Sequence, residues 1–213
     1  LDAAGLAAVE DREIERLIRR QESIGLQSVT DGELRRSWWH LDFLWGLPGV
    51  GKHIMESGVA FAGVTTRLEG VRVDGKIGYA PHPHVAHYAF LHSHTRATPK
   101  VTIPAPSALV GRPVLPPIDA RAYPDRDELF ADLGRAYAAA VRAFAAAGCR
   151  YLQLDEVFIA MLCDDAYRQK IVARGDDPDR LLELYAELIN TAVAAAPAEM
   201  TVTLHLCRGN FKS

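Results

Sequence analysis

The chain has 213 residues, about half of them apolar (49%) and a quarter charged (24%), enough to bury the core of one sizeable domain. Its formal net charge of −3 and the lack of any basic run argue against nucleic acid as a partner, because that surface needs clustered Lys and Arg to displace counterions. No stretch approaches the roughly 20 continuous apolar residues of a membrane span, and the opening LDAAGLAAVEDREIERL reads as an amphipathic helix rather than a secretory signal, so no membrane role and a cytoplasmic setting are expected.

The spacing of Ile14, Leu17, Ile18 and Ile24 predicts a first helix over residues 8–24, with Gly25 as a left-handed C-terminal cap. Leu26 to Val29 reads as a short buried strand, followed by TDGE and then RRSWWHLDFLWGLPGV, a loop dense in Trp and Gly without a clean period. VRVDGKIGY alternates about Asp74-Gly75, which predicts a β-hairpin turning there. A helix follows Pro83, and KVTI is a strand that runs into PAPS.

From Asp125, Phe130, Leu133, Tyr137, Val141 and Phe144 recur at helical spacing up to Gly148. CRYLQLDE is a strand, residues 157–173 a shorter helix, and Asp177-Pro178 opens another with Leu181, Leu182, Tyr185, Leu188 and Ile189 on one face. MTVTLHLC closes as a strand. Short strands alternating with long helices predict βα units around a parallel sheet, in one domain. Three cysteines, Cys149, Cys163 and Cys207, form no regular framework for disulfides, which fits a reducing compartment.

Polar residues gather at the carboxyl ends of these strands: Asp31 and Glu33, Ser107, Gln153 and Asp155, then His205 and Cys207. Parallel α/β folds bind ligands at that end. His205 and Cys207 stand two apart on a strand, so both point to one face, roughly 6–7 Å apart at Cα, within reach of one ion. Imidazole and thiolate suit Zn²⁺, which deprotonates a substrate thiol in an open coordination position. The plainer readings are a core His and Cys, a helix cap at Asp155-Glu156 and a simple turn at Asp31-Gly32.

TDGELRRSWW, KVTIPAPS, GCRYLQLDE and TLHLCRGN, in this order, resemble the catalytic barrel of the cobalamin-independent methionine synthase superfamily, especially its short single-barrel members. The resemblance covers nearly the whole chain. It implies a (β/α)₈ TIM-type barrel that moves a methyl group from a methylated folate to the sulfur of homocysteine, a small-molecule thiol, with zinc as cofactor. By the same resemblance His205 and Cys207 are metal ligands, and Glu33 and Asp155 contact the amino-acid substrate. Ser107 and Gln153 stand beside them as substrate-binding candidates.

In the family a Glu and a second Cys later in the chain complete the metal site, and a further strand precedes the first helix. The expectation is therefore an incomplete barrel: residues 1–213 form part of one catalytic domain, with the remaining ligands and strands supplied by further chain. Where the family carries a Trp that stacks on folate, this chain has Pro106, so the alkyl donor stays open. Alternatives are a zinc-thiolate enzyme that opens an epoxide with a coenzyme thiol, and a metal-free barrel of the porphyrinogen decarboxylase kind. The run His82, His84, His87, His92 and His94 suggests a surface chelate on an exposed helix as a different class of function.

Overall fold

The computed structural model describes residues 1–54, 69–112 and 114–207, together with the backbone of 60–61 and 64–65. Helix α1 (Ala3–Ser23) begins earlier than its apolar stripe suggests, because the Asp2 carboxylate accepts from Gly5 N and caps the first turn. Gly25 adopts φ +84 beyond its end, as expected of a helix stop. Ile14 and Ile18 are buried, whereas Ile24, one residue past the helix, is exposed. Strand β1 contracts to Ser28–Val29.

The Trp-rich loop holds a short helix, α2 (Leu41–Trp45), entered through an Asp42 carboxylate that accepts from Ser37 N and Trp38 N. Strands β2 (Val50–Ile54) and β5 (Glu69–Val73) pair antiparallel, and a two-residue ladder of β3 (Ala60–Phe61) with β4 (Val64–Thr65) lies between them in sequence. The hairpin expected at Asp74-Gly75 is therefore corrected. VRV is a strand, but its partner is Val50–Ile54, and its other edge is used by residues 117–119 through Val73 N to Pro117 O and Asp119 N to Val73 O. Ile77 instead turns into the core, its N–H donating to Tyr123 Oη at 2.6 Å.

After α3 (Pro83–His94) come β6 (Thr98–Pro99), β7 (Val101–Pro104) and the short helix α4 (Ser107–Val110). Helix α5 (Arg126–Ala146) buries Phe130, Leu133, Tyr137, Val141 and Phe144, the five residues its spacing singles out, under an Asp125 cap. Strand β8 (Tyr151–Glu156) follows. The single helix expected over 157–173 is two: α6 (Phe158–Met161) and α7 (Asp165–Ala173), because Asp164 accepts from Tyr167 N and restarts the helix. Helix α8 (Pro178–Val193) buries Leu181, Tyr185, Leu188 and Ile189, while Leu182 stays 39% exposed, and β9 (Thr201–Leu206) ends the described chain.

The strands that matter run parallel. β1 pairs β6, and β7, β8 and β9 form one sheet in that order. Lys100 N donates to Val29 O between β6 and β7, so the backbone ladder is continuous from β1 across to β9. Helices α5 and α8 pack together and share the main core with the sheet, while Ile14, Ile18, Val29 and Leu91 form a smaller core joining α1, β1 and α3. This is a mixed α/β fold with parallel strands, and no closed barrel forms among the described residues. Along β9, Leu204 and Leu206 are 43% and 53% exposed, and its pairing among those residues is with β8. No described helix is long and apolar enough to cross a membrane.

Gly49 fixes where the β2–β5 hairpin meets the chain that follows it. Its φ is +84, and an added Cβ would lie 2.3 Å from Lys76 O, a backbone atom that cannot swing aside. Gly49→Ala should therefore cost about 2–4 kcal/mol, from left-handed strain plus overpacking. Gly175→Ala, at φ +90 with nothing within 4 Å of the new Cβ, should cost about 1–2 kcal/mol from the strain alone. Urea unfolding of the two variants checks this, and equal losses would show that the contact with Lys76 is not felt.

Candidate functional site

In parallel register, paired residues face the same side of the sheet, and alternate residues along a strand share a face. Thr102 pairs with Gln153, Gln153 with Thr203, and Asp155 with His205. Gln153 Nε2 donates to Asp155 Oδ1 at 2.6 Å, which holds that carboxylate over its own strand. Cys207 N donates to Glu156 O at 2.8 Å and carries the ladder one residue past β9. By alternation Cys207 falls on the face of His205. One side of the sheet thus carries Thr102, Gln153, Asp155, His205 and Cys207 across three adjacent strands.

Glu33 joins this row from the end of β1. It sits at φ +58, the one non-glycine residue in the left-handed region among those described, and its N–H is held by Asp31 Oδ1 at 2.9 Å. Such strain in a side chain without a glycine's freedom persists only where neighbouring contacts impose it. Here they do. Glu33 Oε1 accepts from Thr102 Oγ1 at 2.7 Å and lies 3.2 Å from Arg36 Nη1, while Arg36 Nη2 donates to Thr102 O at 2.7 Å. The Arg36 side chain is only 4% exposed. Asp31-Gly32 is a turn, as its composition suggests, and the purpose of the turn is to present Glu33 to β7.

Ser107 lies apart from this row. It is 1% exposed, and its hydroxyl donates to Glu156 Oε2 at 2.5 Å on the opposite side of β8. Glu156 is fully buried, and its other oxygen accepts from Phe158 N and Ile159 N. The Asp155-Glu156 pair therefore divides its work: Glu156 caps α6 and Asp155 faces the polar row. The helix cap read at Asp155-Glu156 is thus made by Glu156, while sequence reasoning passed over Arg36 and Thr102. The i,i+3 spacing of Glu33 and Arg36 was a usable signal for the first, but nothing local marks Thr102.

His205 and Cys207 are donors of the kind zinc takes, an imidazole and a thiol on one face with a carboxylate in register. They fit zinc in donor type but are two donors only, and no group of three metal-binding side chains converges among the described residues. The last part of the strand-end motif, residues 208–210, lies outside the described residues.

The sequence profile described as "Cobalamin-independent synthase, Catalytic domain" matches residues 3–213. The chain belongs to this family. It is 44% identical over 215 aligned residues to an uncharacterized protein of Bacillus subtilis strain 168, YxjH, and 43% identical to a second, YxjG. All of this chain is covered in both alignments, and it spans 56% of each relative's length. Among solved structures, a Listeria monocytogenes protein provisionally named a vitamin-B12-independent methionine synthase superposes with a TM-score of 0.79 at 36% identity, over 99% of this chain and 58% of that one. A B12-independent methionine synthase from Shewanella, solved with selenomethionine, gives 0.70 at 18% identity over 98% and 54%, a likeness of fold.

Within this cobalamin-independent synthase domain, the aromatic loop packs as structure. Trp38 Nε1 donates to Glu69 Oε2 and Trp45 Nε1 to Gly70 O, so both rings staple the loop to β5. The histidine run is corrected in part: His92 and His94 are exposed on α3, but no group of three metal-binding side chains forms among the described residues, and the first two histidines are buried. His82 and His84 are 4% and 3% exposed beside Phe43, and His82 accepts from His84 N through Nδ1, leaving Nε2–H to donate to Phe43 O at 2.9 Å.

Burial first, then the charge of Arg36, holds the His84 imidazole down to about 2, and burial with Arg112 holds His40 at about 3. Both rings stay neutral in the folded protein at pH 5, whereas in the unfolded chain they take up protons below about 6.5. The unfolded state then binds more protons, so this stability is complete above pH 6.5 and declines as pH falls from there toward the folded values. At pH 5 the loss relative to pH 7.5 is about 2 kcal/mol per histidine. Urea unfolding at the two pH values should show a smaller loss, by that amount, in His84→Gln than in the parent; the same loss in both would mean His84 is protonated when folded.

Proposed function

We propose that this domain is the part of a zinc-dependent enzyme that alkylates a substrate thiol, most simply by transferring a methyl group from a methylfolate-like donor to a homocysteine-like acceptor, giving methionine. Family membership supports methyl transfer as the reaction class, and the observation that carries the reading is the register of Asp155 with His205. That pairing sets a carboxylate beside a soft-metal ligand pair, which are the two requirements for binding an amino acid by its ammonium group and its sulfur together. The parallel strands are proposed as part of a (β/α)₈ barrel, with the remaining strands and zinc ligands lying in the portion of the relatives' length that these residues do not span. A cytoplasmic setting, where thiols stay reduced, suits the chemistry.

In this reading His205 and Cys207 hold Zn²⁺. When bound, the ion supplies the acidity that makes a thiol a thiolate at neutral pH. The chain's own residues do the rest. Asp155, held by Gln153 Nε2, accepts from the substrate ammonium. Glu33, fixed by Thr102 and Arg36, contacts the same amino acid from the β1 side. Ser107 acts on the substrate at one remove, by anchoring Glu156 behind β8. The alkyl donor reaches the sulfur from the mouth formed by the strand ends, and proximity of the two reactants is the main contribution of the fold.

Pro106 keeps a second electrophile in view. It stands directly before α4 with φ −57 and offers no aromatic ring to stack on a pteridine. A zinc-thiolate enzyme that opens an epoxide would have the same thiol half of the site.

Elemental analysis of the purified protein at its full natural length should find one zinc per chain, and Cys207→Ala should remove it together with activity. Activity that survives loss of the metal would refute the mechanism. Asp155→Asn should keep the zinc and raise KM for the thiol substrate by about tenfold or more, the loss of a charge-assisted contact. An unchanged KM would remove Asp155 from the site.

A further inference from the structure

A cavity of about 780 Å³ opens between the β2–β5 hairpin and the turn after α4. None of Glu33, Thr102, Gln153, Asp155, His205 and Cys207 lines it. Its apolar walls include Leu41, Val71, Leu109 and Leu115, and its cations are Arg112 and Lys170. The volume is that of a small-molecule site rather than of a surface dimple.

Arg112 sets this cavity apart. The other arginines that are largely withdrawn from solvent have carboxylates: Arg35 pairs with Glu10 and Asp11, Arg36 with Glu33, and Arg174 with Asp176. Arg112 is half-buried, and withdrawal from water pushes its pKa down, yet no carboxylate among the described residues pairs with it. Its contact is a neutral one: Nη2 lies 3.2 Å from His40 Nε2. Lys170, exposed at the rim, also has no ion pair among the described residues. A desolvated guanidinium without a counter-charge is costly unless an anion completes it.

His40 is the neutral group that Arg112 meets. It lines the cavity and is 6% exposed. Since Nε2 faces the Arg112 donor, the ring proton belongs on Nδ1, and Nδ1 is buried with no hydrogen-bond partner among the described residues. Buried donors are rarely left so. The cavity's carboxylate, Glu69, accepts from Trp38 Nε1 and so is directed toward the aromatic loop. An inorganic anion would satisfy Arg112 but would leave the four aliphatic walls in contact with water.

We propose that this cavity is a binding site for an organic anion, a carboxylate carried on an apolar body. The Arg112 guanidinium receives the carboxylate in its planar fork, Lys170 adds charge at the rim, and the body lies on Leu41, Val71, Leu109 and Leu115. The site stands independently of zinc and of thiol alkylation.

The test is calorimetric titration of the full-length protein with 2-naphthoate, its neutral counterpart 2-naphthamide, and inorganic phosphate. One naphthoate should bind per chain, with naphthamide and phosphate each weaker by about tenfold or more. Arg112→Met should weaken naphthoate by about the same factor and leave naphthamide unchanged, and Arg112→Lys should restore part of the loss. Lys170→Met, on an exposed side chain that tolerates change, should weaken naphthoate by about threefold and guards against misfolding of the Arg112 variants. Equal affinity for naphthoate and naphthamide, no effect of Arg112→Met, or no binding at all would overturn the proposal. Phosphate binding as tightly as naphthoate would make the cavity an inorganic-anion site and overturn it equally. Zinc content measured on the same samples keeps this result separate from the alkyl-transfer reading.

Discussion

Two successive carboxylates on one strand cannot share a face, and the site depends on that constraint. Glu156 is fully buried and takes three hydrogen bonds, from the Ser107 hydroxyl and from the N–H groups of Phe158 and Ile159. These ties link the start of α4, the end of β8 and the start of α6 at a single charged group. With Glu156 anchored behind the sheet, strand alternation sends Asp155 to the front. There the register with β9 places it beside His205. A buried carboxylate with all its contacts made is a strong positional device, since any shift would leave a desolvated charge unsatisfied.

A second tie acts from the other side. Glu33 accepts the positive φ that the turn after β1 imposes, because Thr102 and Arg36 hold its carboxylate in place. The result spans the sheet: β1 is joined to β7 by Glu33 and Thr102, β7 to β8 by register, and β8 to β9 by register again. Each polar side chain is placed by backbone pairing or by a charged neighbour, which is how a site avoids dependence on flexible loops. The Trp-bearing loop and the β2–β5 hairpin then build outward from this rim, and the Arg112 cavity lies between that outgrowth and α4.

Much of this was legible in the residues. Helices α5 and α8 follow their apolar spacing almost residue for residue, since a long helix against a core must bury one stripe. The strand-end residues Glu33, Gln153, Asp155, His205 and Cys207 were readable because parallel α/β folds concentrate polar groups there. Three readings went differently for non-local reasons. The Asp74-Gly75 signal is a real turn preference, but Val50–Ile54 supplied a better partner for VRV from about twenty residues upstream. Asp164 divided a helix that periodicity alone would have continued. His82 and His84, polar in sequence, went inside because neutral imidazoles beside Phe43 could satisfy one another and a carbonyl.

The sequence by itself determined the class of fold, the helices and the residue types available for chemistry, since these follow from local periodicity and from the order of polar groups along the chain. Only the tertiary structure decided which groups face one another. The pairing of Asp155 with His205, the withdrawal of Ser107 behind β8 and the contact of Arg112 with His40 each join residues separated by tens of positions. Register and burial are properties of pairs of elements, and no single segment carries them.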